Sequence, residues 1–168
     1  MKHACRHLIT LLLAASLAAC GFHMRGTTPD SQLSFKSIYL DVKKGTSIER
    51  DLRTAIRFSD AQLAADSKAA DVTLRIVHQS QQKKILTLNA QGKVREYNLT
   101  YRVQFEVTDA NNKKLLQPPE MVMQYILSYS EEQALAKEQE ERMTFDDMRR
   151  DAVSQIMRQL ARLQPETM

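Results

Sequence analysis

From Glu96 to Thr108 the chain alternates without a break: Tyr97, Leu99, Tyr101, Val103, Phe105 and Val107 fall on one face, and Glu96, Asn98, Thr100, Arg102, Gln104, Glu106 and Thr108 on the other. A period of two over that length is a strand with one face to be covered and one that meets water. Such a strand needs neighbours along its edges and a layer over one side only. The expectation is an α+β fold in which helices share the single apolar face of the sheet.

The flanking patterns supply those partners. Ile38, Leu40 and Val42 alternate and stop at Lys43-Lys44-Gly45, predicting a first strand. Thr46 and Glu49 form a capping-box pattern, and Ile48, Leu52, Ile56 and Leu63 predict a helix running through about residue 63, solvated along Arg50, Arg53 and Arg57. Val72, Leu74 and Ile76 open a second strand, and strand, helix, strand in succession implies a right-handed crossover to a parallel neighbour. The alternation weakens from His78 to Lys84 and returns at Ile85 to Leu88, the pattern of one long hairpin arm that outruns the core and carries a bulge. Asn89-Ala90-Gln91-Gly92 supplies its turn. With Ala90 and Gln91 as a two-residue loop, Leu88 faces Lys93, Leu86 faces Arg95, and Lys84 faces Tyr97.

A second turn at Asp109 to Lys113 and the pair Pro118-Pro119 precede a fourth strand with Met121, Met123, Tyr125, Leu127 and Tyr129 inward. Ser130-Glu131-Glu132-Gln133 reads as another capping box. It opens a long polar helix that becomes amphipathic at Phe145, Met148, Ala152, Ile156, Leu160 and Leu163. The expected architecture is a four-stranded mixed sheet with two helices packed on one face, in the order β-α-β-β-β-α, forming one domain over residues 36–164 with a short tail at 165–168.

The N-terminus determines where such a domain works. Lys2 and Arg6 precede an apolar run from Leu8 to Leu17, which at about ten residues is far short of the roughly 20 that span a bilayer. Ala18 and Ala19 then lead directly into Cys20. This order resembles the lipobox of bacterial lipoproteins, which implies that residues 1–19 are a cleaved signal peptide and Cys20 a lipidated mature N-terminus. Residues 20–35, with Gly26, Thr27, Thr28, Pro29 and Asp30, would tether lipid to fold. Two or more acyl chains hold a protein on a membrane almost permanently, where one does not. Gly21 stands where an inner-membrane retention signal has Asp, so the resemblance places the protein at the outer membrane, facing the periplasm.

Cleavage also trims the chemistry available. Cys5 leaves and Cys20 carries lipid, so no disulfide is expected, and the loss of Lys2 and Arg6 lowers the net charge from +4 to +2, which removes the case for nucleic acid. Only His23 and His78 remain, with no Gly-x-Ser-x-Gly and no phosphate-cradling glycine loop, so no catalytic site, metal or cofactor is expected. Glu131, Glu132, Glu138, Glu140 and Glu141 read as a solvated helix face. Lys84, Lys93 and Arg95 gather near the hairpin tip beside exposed aliphatics, which suits an amphiphilic polyanion. The same cations would equally keep a long hairpin soluble and blunt its edge.

Three stretches carry a family resemblance: Cys-Gly-Phe-His-Met-Arg-Gly at Cys20 to Gly26, Arg95-Glu96-Tyr97 after Gly92, and Ala134-Leu135-Ala136-Lys137. In this order they resemble the LptE family of lipopolysaccharide-assembly lipoproteins. The resemblance implies two helices against a four-stranded sheet, a one-to-one complex with the β-barrel LptD, residence largely inside its lumen, help in assembling that barrel, and delivery of lipopolysaccharide to the outer leaflet. It also implies lipopolysaccharide binding through basic residues at the hairpin turn and at the start of the last helix. Lys137 matches the second position. The first is Ala90 here, which leaves Lys93 or Arg95, with Lys84 nearby, as the hairpin's contribution. The rival readings are a chaperone or pilotin for another outer-membrane barrel or secretin, without glycolipid binding, and a periplasmic surface hydrolase.

Replacing Cys20 by Ser is expected to abolish incorporation of radioactive fatty acid and to leave the precursor uncleaved. Equal label in both forms would remove the lipid anchor from the picture.

Overall fold

The computed structural model describes residues 33–163. Cys20, the signal peptide, most of the tether and the tail at 165–168 lie outside the described residues. Within them the α+β architecture is present: a mixed sheet with both helices on one face. The sheet has six strands where the sequence predicts four, because two short strands add to its ends.

Strand β1 (Ser37–Asp41) sends Ile38 and Leu40 inward. Helix α1 (Ser47–Arg57) then starts as the sequence predicts, Thr46 Oγ1 accepting from Glu49 N at 3.4 Å. Arg53, one turn on, bonds Glu49 at 2.6 Å and holds its carboxyl below the usual range. The helix stops at Arg57, short of residue 63. Ser59 Oγ donates to the Ile56 carbonyl at 2.7 Å, and the chain turns back so that Gln62 N donates to Lys36 O at 2.8 Å. Leu63 therefore reaches the core from β2 (Gln62–Leu63), parallel to β1, and not from a further helical turn. Phe35, assigned to the tether by its sequence context, is buried and belongs to the core.

A clamp joins the start of β1 to the start of β3 (Val72–Leu88). Asp71 Oδ2 accepts from Lys36 N at 2.8 Å and Ser37 N at 2.9 Å, while Asp71 N donates to Ser37 Oγ at 2.9 Å. Burial opposes the charge on Asp71, but these bonds outweigh it and leave the carboxyl below its ordinary range. The two strands run parallel, Ile38 beside Val72 and Leu40 beside Leu74.

Strand β3 pairs antiparallel with β4 (Val94–Asp109) along their whole length. The expected bulge lies between Ile76 and His78, and it resets the alternation. Below it Leu74 and Ile76 share the inner face with Val107 and Phe105. Above it Gln79, Gln81 and Lys83 take that face, opposite Val103, Tyr101 and Leu99. The other edge of β4 is shared by β5 (Lys114–Leu116), beside Val107 and Thr108, and β6 (Met121–Ser128), which runs from Val103 to Glu96. Helix α2 (Ala134–Ala161) returns across the inner face. Its lead-in is a 3-10 turn at Glu131–Gln133, and Ser130 makes no backbone cap there; its hydroxyl bonds Glu132 Oε2 at 2.9 Å instead.

The core lies between this inner face and the helices: Leu99, Tyr101, Val103, Phe105 and Val107 are fully buried, under Ile48, Leu52 and Ile56 of α1 and Ala152, Ile156 and Leu160 of α2. The outer face is polar along β4, carries exposed Val122 and Ile126 on β6, and is not uniformly wet. Thr100 is covered by the strands on either side, and Glu106 lies beneath Arg75 (3.1 Å) and Lys114 (3.3 Å), Arg75 also reaching Asp41 at 2.6 Å. On β6 the inward side is as expected, yet Tyr125, on this edge strand between Met123 and the fully buried Leu127, is exposed. The helices are tied to each other through buried Arg149, whose Nε donates to Asp51 of α1 and whose Nη1 donates to Asp146, both at 2.6 Å.

Val103→Asp or Phe105→Asp would bury an unpaired charge and is expected to cost several kcal/mol of the about 5–15 available, unfolding the domain in thermal melts. Gln124→Asp, exposed on the outer face, should stay within about 0.5 kcal/mol. Asp51→Ala leaves Arg149 only its Asp146 bond and should cost about 1.5–3 kcal/mol, measured by denaturant titration.

Candidate functional site

The hairpin tip and the start of α2 converge at one end of the molecule. The turn itself has three loop residues, Ala90, Gln91 and Gly92, where a two-residue loop was expected. Asn89 Oδ1 accepts from Gln91 N (3.0 Å) and Lys93 N (2.9 Å), Gly92 N donates to Asn89 O (3.0 Å), and Gly92 closes the turn at φ +75°. The same design recurs at Asp109 to Lys113, with Asn112 at φ 61°.

The longer loop, together with register shifts between Ile85 and Leu88, changes which residues meet. Leu88 faces Val94, Thr87 faces Glu96, Ile85 faces Tyr97, and Lys84 faces Asn98. Lys84 therefore lies on the outer face, exposed and opposite Asn98, whose other neighbour across the sheet is Ile126. It does not join the other candidates. Lys83, which the sequence pattern did not single out, takes the inner face in its place. Its ammonium sits 4.3 Å above the centre of the Tyr97 ring and bonds Glu141 of α2 at 2.5 Å. Tyr97 in turn meets Tyr129 edge-on, ring centres 5.2 Å apart.

Lys93 and Arg95 do line one shallow polar cleft with Tyr129, Ser130, Glu131 and Glu132. Tyr129 N donates to Arg95 O at 2.8 Å and fixes the approach. The Lys93 ammonium bonds Glu131 at 2.6 Å, both side chains being mostly exposed, and that bond together with the charges of Glu131 and Glu132 raises the lysine above its usual range. Lys137, one helical turn into α2, is partly buried and bonds Glu140 at 2.8 Å. Arg95 is exposed and makes no side-chain ion pair among the described residues. Two of the candidate cations thus already carry a glutamate partner. Only a register shift of one residue separates Lys83 from Lys84, which is why sequence alternation could not choose between them.

His78 is exposed on β3 opposite Gln104, and among the described residues no group of His, Cys, Asp and Glu is placed to hold a metal. No helix among them is long and apolar enough to cross a membrane.

The family model described as "LptE: Lipopolysaccharide-assembly" matches residues 35–160. The LPS-assembly lipoprotein LptE of Pectobacterium atrosepticum is 26% identical over 162 residues, covering 95% of this chain and 86% of its own. Among solved structures, an uncharacterized lipoprotein B from Nitrosomonas europaea superposes with a TM-score of 0.72 at 37% identity, covering 84% of this chain and 90% of its own. The rare lipoprotein B from Shewanella oneidensis does so with a TM-score of 0.65 at 26% identity, covering 75% and 94%. The match begins at Phe35, the first core residue, and ends at Leu160 in the last buried turn of α2, so it takes in the whole packed domain: the chain belongs to the LptE lipopolysaccharide-assembly family.

Proposed function

We propose that this chain is a non-enzymatic outer-membrane lipoprotein, anchored through Cys20, that forms a one-to-one complex with an LptD-type β-barrel, sits within its lumen, assists its assembly, and binds lipopolysaccharide on the way to the outer leaflet. The observation that carries the ligand part is the convergence of two segments distant in sequence: Lys93 and Arg95 of the hairpin meet the lead-in of α2, with Lys137 one turn further on. Cations on a polar cleft beside the exposed Leu88 and Leu135 suit a lipid bearing phosphates and acyl chains. The mostly polar outer face of the sheet supports residence in a barrel lumen, where a plug needs hydrogen-bonding side chains.

The Lys93–Glu131 and Lys137–Glu140 pairs favour a second reading, a scaffold for the barrel that makes no glycolipid contact. The two readings diverge in what happens when the glutamates are removed. Each lysine–phosphate contact is charge-assisted and worth about 1.5–3 kcal/mol, and it must first displace an exposed carboxylate whose own hold is weak.

Reversing Lys93, Arg95 and Lys137 to Glu is expected to weaken lipopolysaccharide binding at least tenfold, with co-purification of the barrel retained. Glu131→Gln, which frees Lys93, should strengthen binding, and wild-type affinity should fall with added salt. Lys93→Glu and Arg95→Glu alone should leave the melting temperature nearly unchanged, since both side chains are exposed. Unaltered binding by the triple variant in a surface-immobilised lipopolysaccharide assay would leave the scaffold reading.

A further inference from the structure

The two open edges of the sheet are protected unequally. Beyond Arg75, the last residue paired with β1, strand β3 runs on to Leu88 with no strand on that side among the described residues. This edge carries His78, Lys83 and Lys84 and three register shifts. Charges and bulges of this kind keep an open edge from pairing with other chains. Strand β6 is the opposite case. Its eight residues, Met-Val-Met-Gln-Tyr-Ile-Leu-Ser, include no charge and no proline. Its pairing with β4 runs from Met121 to Ser128 without a shift, and β4 is its only strand neighbour among the described residues. Val122, Tyr125 and Ile126 are exposed on it. Backbone geometry says which groups are left over. Tyr129 N donates to Arg95 O at 2.8 Å, which makes that facing couple a hydrogen-bonded pair. Such pairs alternate along an antiparallel ladder. The N–H and C=O groups of Met123, Tyr125 and Leu127 therefore point to β4, and those of Val122, Gln124, Ile126 and Ser128 point away from it, where no described strand lies. Beside them Leu86, Asn98, Gln124, Tyr125 and Ile126 line an open groove of about 320 Å³, and Asn98 Oδ1 is buried there without a hydrogen-bond partner.

We infer that β6 is a docking edge at which an extended segment of the barrel partner adds as a further strand, its backbone bonding the outward groups of Val122, Gln124, Ile126 and Ser128. Main-chain pairing gives such an addition its hold, and alternate side chains give it specificity. With no charge on β6 to answer, the fitting segment is uncharged, its apolar side chains meeting Val122 and Ile126 on one face and Tyr125 on the other. Size and closure choose this occupant. A strand of eight residues is about 27 Å long, and a second copy paired through it alone would bury far less than the roughly 1,200 Å² of a stable dimer. A partner already bound over a wider surface adds one strand at little further cost. The strands of a closed barrel wall have both edges paired, so the segment comes from a loop that turns into the lumen. This contact presupposes the barrel complex of the proposed function and adds where and how the two chains join.

Amide hydrogen exchange, read residue by residue through electron-transfer fragmentation, compares the full lipidated chain alone with its purified complex with the barrel. In the free protein the amides of Val122, Gln124 and Ile126 should exchange freely while those of Met123, Tyr125 and Leu127 are protected. In the complex the first set should slow by about a hundredfold, matched by a newly protected stretch in one barrel loop. Gln124→Pro removes an outward N–H and leaves the β4 ladder whole. It should leave the melting temperature of the free protein nearly unchanged and speed dissociation of the complex by about tenfold. Should the proline variant not fold, the wild-type exchange pattern still decides. Fast exchange at Val122, Gln124 and Ile126 in an intact complex overturns the docking edge and leaves the complex standing. So does a folded Gln124→Pro variant that dissociates at the wild-type rate. Slow exchange already present in the free protein overturns it too, giving the edge to the chain's own N-terminal segment or to a second copy. Slowing by lipopolysaccharide without the barrel would make the glycolipid the occupant and overturn it likewise. A chain that never co-purifies with the barrel overturns both this contact and the proposed complex.

Discussion

The inner face of β4 is the surface to which every other part of the molecule is fitted. Five alternate side chains from Leu99 to Val107 are completely buried, each contributing about 1.5–3 kcal/mol by leaving water. The strand pairs along both edges, with β3 on one and with β5 and β6 in turn on the other, so its backbone groups are satisfied within the sheet. Among the described residues three side-chain atoms of the sheet, Ser80 Oγ, Asn98 Oδ1 and the Tyr101 hydroxyl, are buried without a hydrogen-bond partner of good geometry. At Tyr101 burial pushes the phenol up to about 12, against the opposing pull of Arg149 nearby. The ring's buried area offsets that cost, and the hydroxyl marks where the core begins to turn polar.

That change follows from the bulge at Val77. Below it, β3 offers Leu74 and Ile76 to the helices; above it, the inner face is Gln79, Gln81 and Lys83, and α2 answers with Glu141, which pairs with Lys83. The upper half of the hairpin is therefore held by ladder hydrogen bonds, the Tyr97–Tyr129 contact and ion pairs, while apolar burial holds the lower half. Exposed ion pairs contribute little each, so the tip is the end of lower local stability. A segment of that kind can rearrange around a ligand without disturbing the core beneath it.

Charge is distributed to match. At the tip, Lys93, Lys137 and Lys83 each have a glutamate within 2.8 Å, so an incoming anion competes with carboxylates already in place. Arg95, at the same end, has no ion pair among the described residues. Paired and unpaired cations thus stand side by side at the tip.

Local chemistry was legible without coordinates wherever one element decides it. The inward set of β4, the Thr46–Glu49 cap, the parallel neighbour implied by strand, helix and strand, and the apolar stripe of α2 all follow from side-chain period and turn residues within a few positions. What spans elements was not. Leu63 fits a helical stripe as well as a strand, and it took pairing with Ile38 to choose the strand. Thr100 and Glu106 alternate as wet residues yet are covered by neighbouring strands, and Tyr125 alternates as a core residue yet stands exposed on an edge strand. Lys84 and Lys83 differ by one position, and only the bulges and the three-residue turn determine which of them faces α2. Periodicity states that a chain has two faces; which face is covered, how far along, and by what, is set by register and by the reach of the elements packed above.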